Sequence, residues 1–181
     1  MQAAQATRGR SWWFGFEKRL QLEQSARTAV AATLSVLVAA LFGLPESYWA
    51  AMTVLIVMQS DVRTTFGISV SRLAGTALGA GLGAALATYF DRNALAFGAG
   101  VFLLGLLCAI LGGFDKRLAH YLDKATYRYA SITLAIVMLI AHYTSAWLVA
   151  LQRFLEAAIG IAVGLVIAMV WPKRESEVGQ Q

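Results

Sequence analysis

Arg72 opens an uncharged run that lasts to residue 90, and Arg153, with Glu156 one helical turn on, precedes another that lasts to residue 172. A guanidinium stays charged at every relevant pH and grips a planar carboxylate through two parallel hydrogen bonds. Inside an apolar segment it is costly, so it faces a cavity, a partner or the headgroups. The chemistry these positions allow is recognition of an anion. Two plainer readings stand beside it: Glu156 can neutralise Arg153 from position i+3, and both arginines can snorkel to opposite interfaces. Thr53, Thr133 and Gln59 are the candidate polar contacts for a substrate held by Arg72 and Arg153. Asp61 and Glu156 are candidates for proton coupling; for Asp61 the alternative is a solvated loop charge.

Enzyme chemistry finds little support. His120 falls in a charged loop and His142 at the end of an apolar run, with no second cluster resembling a metal site. No base stands at catalytic spacing from a serine or threonine, and no Gly-rich phosphate loop opens a helix after a strand. No metal and no cofactor is expected.

The elements that must position these residues follow from composition. Of 181 residues, 59% are hydrophobic and 14% charged, against about 25% charged in ordinary soluble domains. The mean hydropathy is +0.63. Charge-free runs occupy 28–45, 47–60, 73–90, 93–114, 129–141 and 157–172, and a bilayer core needs roughly 20 apolar residues per helix. The pattern predicts an all-α polytopic membrane protein with six spans near 27–44, 48–60, 67–90, 95–114, 126–143 and 147–171. The second is short: its apolar part meets Gln59, Ser60 and Asp61, so it stops inside the membrane or tilts toward a hydrated cavity.

Residues 1–26 form a leader in which Trp12, Trp13, Phe14, Phe16 and Leu20 interleave with Glu17, Lys18 and Arg19, the pattern of an amphipathic helix lying at the interface. Its apolar region begins too late for a cleavable signal, so the leader reads as retained. Residues 173–181 form a polar cytoplasmic tail. Of the 15 Lys and Arg residues, Arg72 and Arg153 fall within spans, Arg92 falls on one side, and the remaining twelve fall on the other. That bias puts both termini in the cytoplasm. The net charge of +5 then belongs to lipid-facing loops, and nucleic acid is not an expected partner. Cys108, the one cysteine, lies in an apolar run and can form no intramolecular disulfide.

The chain also says something twice. Ala50, Thr53, Ile56, Val57 and Met58 recur 80 residues later as Ala130, Thr133, Ile136, Val137 and Met138, each set after an aromatic start. Arg72, Gly79 and Gly83 recur 81 residues later as Arg153, Gly160 and Gly164. Three spans would thus repeat as the next three, and an odd number forces the second copy to enter from the opposite side. This is the inverted repeat of many secondary transporters, whose sites lie near the midplane between copies. The aromatic starts suit anchoring at an interface. Gly75, Gly79 and Gly83, with Gly160 and Gly164, make smooth faces for helix packing.

The same residues carry a family likeness. Pro45 through Tyr48-Trp49-Ala50 to Gln59, then Arg72-x-x-Gly-Thr-x-x-Gly79, then Arg153 through Gly160 to Trp171-Pro172, resemble the fusaric acid resistance/aromatic acid exporter family over about residues 26–172. The resemblance implies a six-helix unit of the bacterial inner membrane that moves aromatic carboxylates or related organic anions outward. More distantly it is similar to the aluminium-activated malate transporters of plants, dimeric anion channels with arginines at the pore. Better-known members often carry a second membrane unit or a large cytoplasmic domain, so the likeness also implies completion by self-association, as a dimer or higher homo-oligomer. Three readings remain open at this stage: an exporter of small organic anions, a passive anion channel, and a membrane subunit that serves a separate soluble protein.

Overall fold

The computed structural model describes residues 2–58, 62–90, 93–114, 124–140 and 145–171. Among them the chain is all helix: α1 Gln2–Leu41, α2 Tyr48–Val57, α3 Val62–Phe90, α4 Ala94–Phe114, α5 Lys124–Ile140 and α6 Ala146–Val170. Three segments are long and apolar enough to cross a membrane, Gln21–Leu41, Val62–Phe90 and Ala146–Val170; the apolar parts of α2, α4 and α5 are shorter. Gln59, Asp61, Arg92, His120 and His142 lie outside the described residues.

Two boundaries differ most from the sequence reading. Leader and first span are one uninterrupted helix of 40 residues, since no proline occurs before Pro45 to deny the backbone an N–H. The third helix begins at Val62, five positions before the apolar run suggested.

Helix ends have local causes. Gly43 takes a positive φ of 71°, its N–H bonds Ala40, and the Leu44 N–H reaches back to Ala39. This is a Schellman ending, which needs a residue without a Cβ at that turn. Pro45 follows and the chain reverses. Asn93 caps α4, its side-chain oxygen accepting the Leu95 N–H at 2.9 Å.

What is buried marks the solvent. The α3 interior face presents Thr65, Ser69, Arg72, Thr76, Gly79 and Gly83, and that of α6 presents Arg153, Glu156, Ala157 and Gly160. Phe102, Leu106, Leu151, Leu155, Val166 and Met169 point outward. Small and polar inside with large and apolar outside reverses the soluble pattern, and it is how helices pack when lipid competes for apolar surface. This is a membrane protein.

Packing is closest where α3 crosses α5. A Cβ on Gly75 would meet the Thr126 carbonyl oxygen, one on Gly79 would fall onto the Ala130 carbonyl, and one on Gly83 would crowd Leu134. Both helices advance four residues per contact. Across the molecule, a Cβ on Gly160 would meet the Ala50 carbonyl oxygen and Thr53. Gly164 departs from the expected packing role: nothing lies within 4 Å of where its Cβ would be.

Candidate functional site

Arg72 and Arg153 each lie on an aromatic ring from a distant part of the chain, whereas the third buried arginine, Arg27, donates to the Trp171 carbonyl at 3.0 Å. The Arg72 guanidinium carbon is 4.8 Å from the centre of the Tyr129 ring, and that of Arg153 is 4.9 Å from Trp49. Such cation–π contacts are worth about 2 kcal/mol when desolvated. Both arginines are only 6% exposed. Neither snorkels.

Their charges are handled differently. Arg153 Nη2 donates to Glu46 Oε2 at 2.6 Å. Its Nη1 lies 3.1 Å from Glu156 Oε2, close enough for an ion pair but too poorly aligned for a hydrogen bond. Glu156 is wholly buried, and its ion pair with Arg153 is the contact its i+3 spacing suggested. Arg72 has neither kind of neighbour. No described carboxylate pairs with it, and its Nε and Nη1 are buried without a hydrogen-bond partner among the described residues. A buried cation left this way pays desolvation without Coulombic return.

Glu46 is the residue the sequence reading missed. It sits in the turn before α2, and its Oε2 accepts from Tyr48 Oη at 2.8 Å, Trp49 Nε1 at 2.8 Å and Arg153. Partial burial pushes its pKa upward, but the hydrogen bonds from Tyr48, Trp49 and Arg153, with the Arg153 charge, outweigh that and hold it below the usual carboxylate range. A signal was present: an aromatic opens both repeated stretches, at Trp49 and Tyr129. These residues, read as interface anchors, place their rings under guanidinium groups.

Thr53 and Thr133 are buried, and their hydroxyls donate to the Trp49 and Tyr129 carbonyls one turn back, at 3.1 Å and 3.0 Å. In this arrangement both hydroxyls bond within their own helices. Thr53 packs against Gly160.

The Arg153 cluster makes a stability prediction. Arg153→Ala strands the Glu156 carboxylate in the interior, and breaking a buried pair from one side costs about 3–5 kcal/mol. Adding Glu156→Gln should recover a large part of that loss. Unfolding of the single and double variants in mild detergent checks this; equal losses in both would show that the pair is not coupled.

Comparison with known proteins agrees with the motifs. Residues 33–167 match the family described as fusaric acid resistance protein-like. A protein of Escherichia coli named as the uncharacterized transporter YdhK is 30% identical over 158 residues, which is 84% of this chain and 23% of that protein. Its namesake in Salmonella typhimurium is 27% identical, over 84% of this chain and 22% of that protein. The chain thus spans less than a quarter of the length of the curated relatives it matches. No solved structure matches it. With a family match running from within α1 to within α6, through both arginines and their rings, the chain belongs to the fusaric acid resistance protein-like family.

Proposed function

We propose that this chain is the membrane unit of a transporter that carries small organic anions, aromatic carboxylates foremost, outward across a bacterial inner membrane. Both termini face the cytoplasm, and Arg72 is the residue that attracts the anion. One observation carries the reading: Arg72 is buried against an aromatic ring with two unpaired donors and no described counter-charge. An incoming carboxylate supplies what the site lacks, accepting from the guanidinium fork and repaying its desolvation. The Tyr129 ring offers an aromatic substrate a stacking face.

In this proposal the two halves of the chain are inverted copies. Matched contacts support it: Arg72 on Tyr129 answers Arg153 on Trp49, and Gly79 against Ala130 answers Gly160 against Ala50. At the same offsets, Glu46 corresponds to Thr126 and Glu156 to Gly75. Both carboxylates that serve Arg153 are therefore replaced by uncharged residues at Arg72. The symmetry breaks in charge, and it breaks at the cytoplasmic end. Ten residues of α2 reach about 15 Å, half of an apolar core of about 30 Å, which leaves room at its end for a hydrated approach to the path. In this reading a second copy of the chain, or further segments such as those of its longer relatives, completes the assembly. A transport-competent monomer in lipid nanodiscs would refute that.

Counterflow tests the function. Proteoliposomes loaded with unlabelled benzoate should accumulate labelled benzoate added outside, and protein-free liposomes should not. Accumulation no greater than in protein-free liposomes sinks the proposal; current that follows only the anion gradient, without counterflow, turns it into a channel. Orientation has its own test in cells. Phe90→Cys should react with an impermeant thiol reagent from the periplasmic side and Lys116→Cys should not, and the reverse result overturns the inverted arrangement with the topology.

A further inference from the structure

Three donors converge on the Glu46 carboxylate. Three groups of different chemistry, the Arg153 guanidinium, the Trp49 indole N–H and the Tyr48 hydroxyl, meet on one oxygen at 2.6, 2.8 and 2.8 Å. The guanidinium is held in place by its own surroundings: it rests on the Trp49 ring and pairs with Glu156 on its other nitrogen. The carboxylate is not so confined. Glu46 lies on the turn after Pro45 with 39% of its side chain exposed, and Tyr48 beside it is also exposed. Removal of the Glu46 side chain would leave a preformed pocket edge with three donors, facing solvent, matched to a free carboxylate.

We propose that Arg153, Trp49 and Tyr48 form a second binding site for organic monocarboxylates, and that Glu46 fills it as a tethered competitor. This deepens the reading above, on which its role in transport rests. At Arg72 no described residue of the chain supplies a carboxylate, so an anion arriving there meets an empty site. At Arg153 the chain supplies its own, at an effective concentration in about the millimolar range for so short a tether. An anion that has crossed is displaced by Glu46, and one arriving from the far side must first displace it. The two arginine sites differ in occupancy rather than in donor type, so an anion binds more weakly at Arg153 than at Arg72, while the direction of net movement is set by the anion gradient or by a coupled one.

The test is binding, not transport, so it stands apart from the fate of Arg72. Purified protein in lipid nanodiscs is melted over a series of benzoate concentrations, with benzamide and matched sodium chloride as controls. With Arg72→Ala present in every protein compared, so that only this site answers, Glu46→Ala should be stabilised by benzoate, saturably, at concentrations about ten- to a hundredfold below those required with Glu46 in place, as expected when a millimolar internal competitor is lost. Benzamide, lacking the charge, should do nothing. Glu46→Ala with Trp49→Phe keeps the ring but loses the indole donor, and should need several-fold more benzoate. Equal responses with Glu46 in place and with Glu46→Ala would overturn the proposal, as would Trp49→Phe binding no weaker than its Trp49 parent. Should Glu46→Ala not fold, Glu46→Gln, which keeps an acceptor for Trp49 and Tyr48, decides by the same comparison. The common Arg72→Ala background separates this site from the one that carries the functional proposal.

Discussion

Arg72→Ala is expected to lower benzoate flux by about ten- to a hundredfold while leaving the protein folded. A hydrogen bond to a charged group is worth roughly 1.5–3 kcal/mol, and each 1.4 kcal/mol is about tenfold in affinity. Stability should not follow activity here. No described carboxylate loses a partner, and the relief of a desolvated charge offsets the lost Tyr129 contact, so the loss of stability is expected to be small beside that of Arg153→Ala. Arg153→Ala has the opposite signature, because it leaves Glu156 stranded. Arg72→Lys keeps the charge and loses the fork, and should fall between alanine and wild type. Arg63→Ala, at an exposed position on the same helix, should change little because solvent screens it. Flux and unfolding measured together decide the matter. An Arg72→Ala protein that unfolds readily, or transports as wild type does, would make Arg72 a packing residue.

Gly79→Ala is expected to be the most damaging glycine-to-alanine change among the described residues. Its Cβ would fall onto the Ala130 carbonyl oxygen, and main-chain atoms cannot swing aside as a side chain can. The α3–α5 contact would have to spread, at a cost at or above the upper end of the ~1–3 kcal/mol typical of overpacking. Gly160→Ala against the Ala50 carbonyl should behave similarly. Gly81→Ala and Gly164→Ala, with nothing within 4 Å, should be neutral or slightly stabilising through helix propensity. Gly75→Ala is informative in another way. Its Cβ would press on the Thr126 carbonyl oxygen and the Tyr129 Cβ, moving the ring that lies beneath Arg72. It should reduce flux as well as stability. Thermal unfolding of the five variants tests this account of the packing; a Gly79→Ala protein as stable as Gly81→Ala would contradict it.

How much of this was legible in the sequence depends on the range of the interaction. Helices were legible because charge-free runs report burial in lipid residue by residue. So were the α3 glycines, whose four-residue spacing is local, and Glu156, which reaches Arg153 along one helix turn. Glu46 was not, because it meets Arg153 across 107 residues and local spacing carries no trace of that. The aromatic pair at the repeat starts was visible, yet an interface anchor and a cation–π platform have the same composition; only the partner distinguishes them. Thr53 and Thr133 were legible by position in the repeat, but their bonds to the Trp49 and Tyr129 carbonyls were not. Gly164 copies Gly83 in register, but Gly83 faces Leu134 and Gly164 faces open space. A sequence repeat fixes where a residue stands on its helix, not what the other half brings to it.

The account turns on Arg72 being a buried charge kept for a substrate. Nitrogen NMR of the arginine guanidinium groups, in nanodiscs titrated with benzoate, observes that charge itself, with the Arg72 signal assigned by its loss in Arg72→Lys. The account predicts that this signal shifts saturably with benzoate and stays fixed with benzamide. A titration in which only exposed arginines respond, or in which Arg72 never moves, would contradict it.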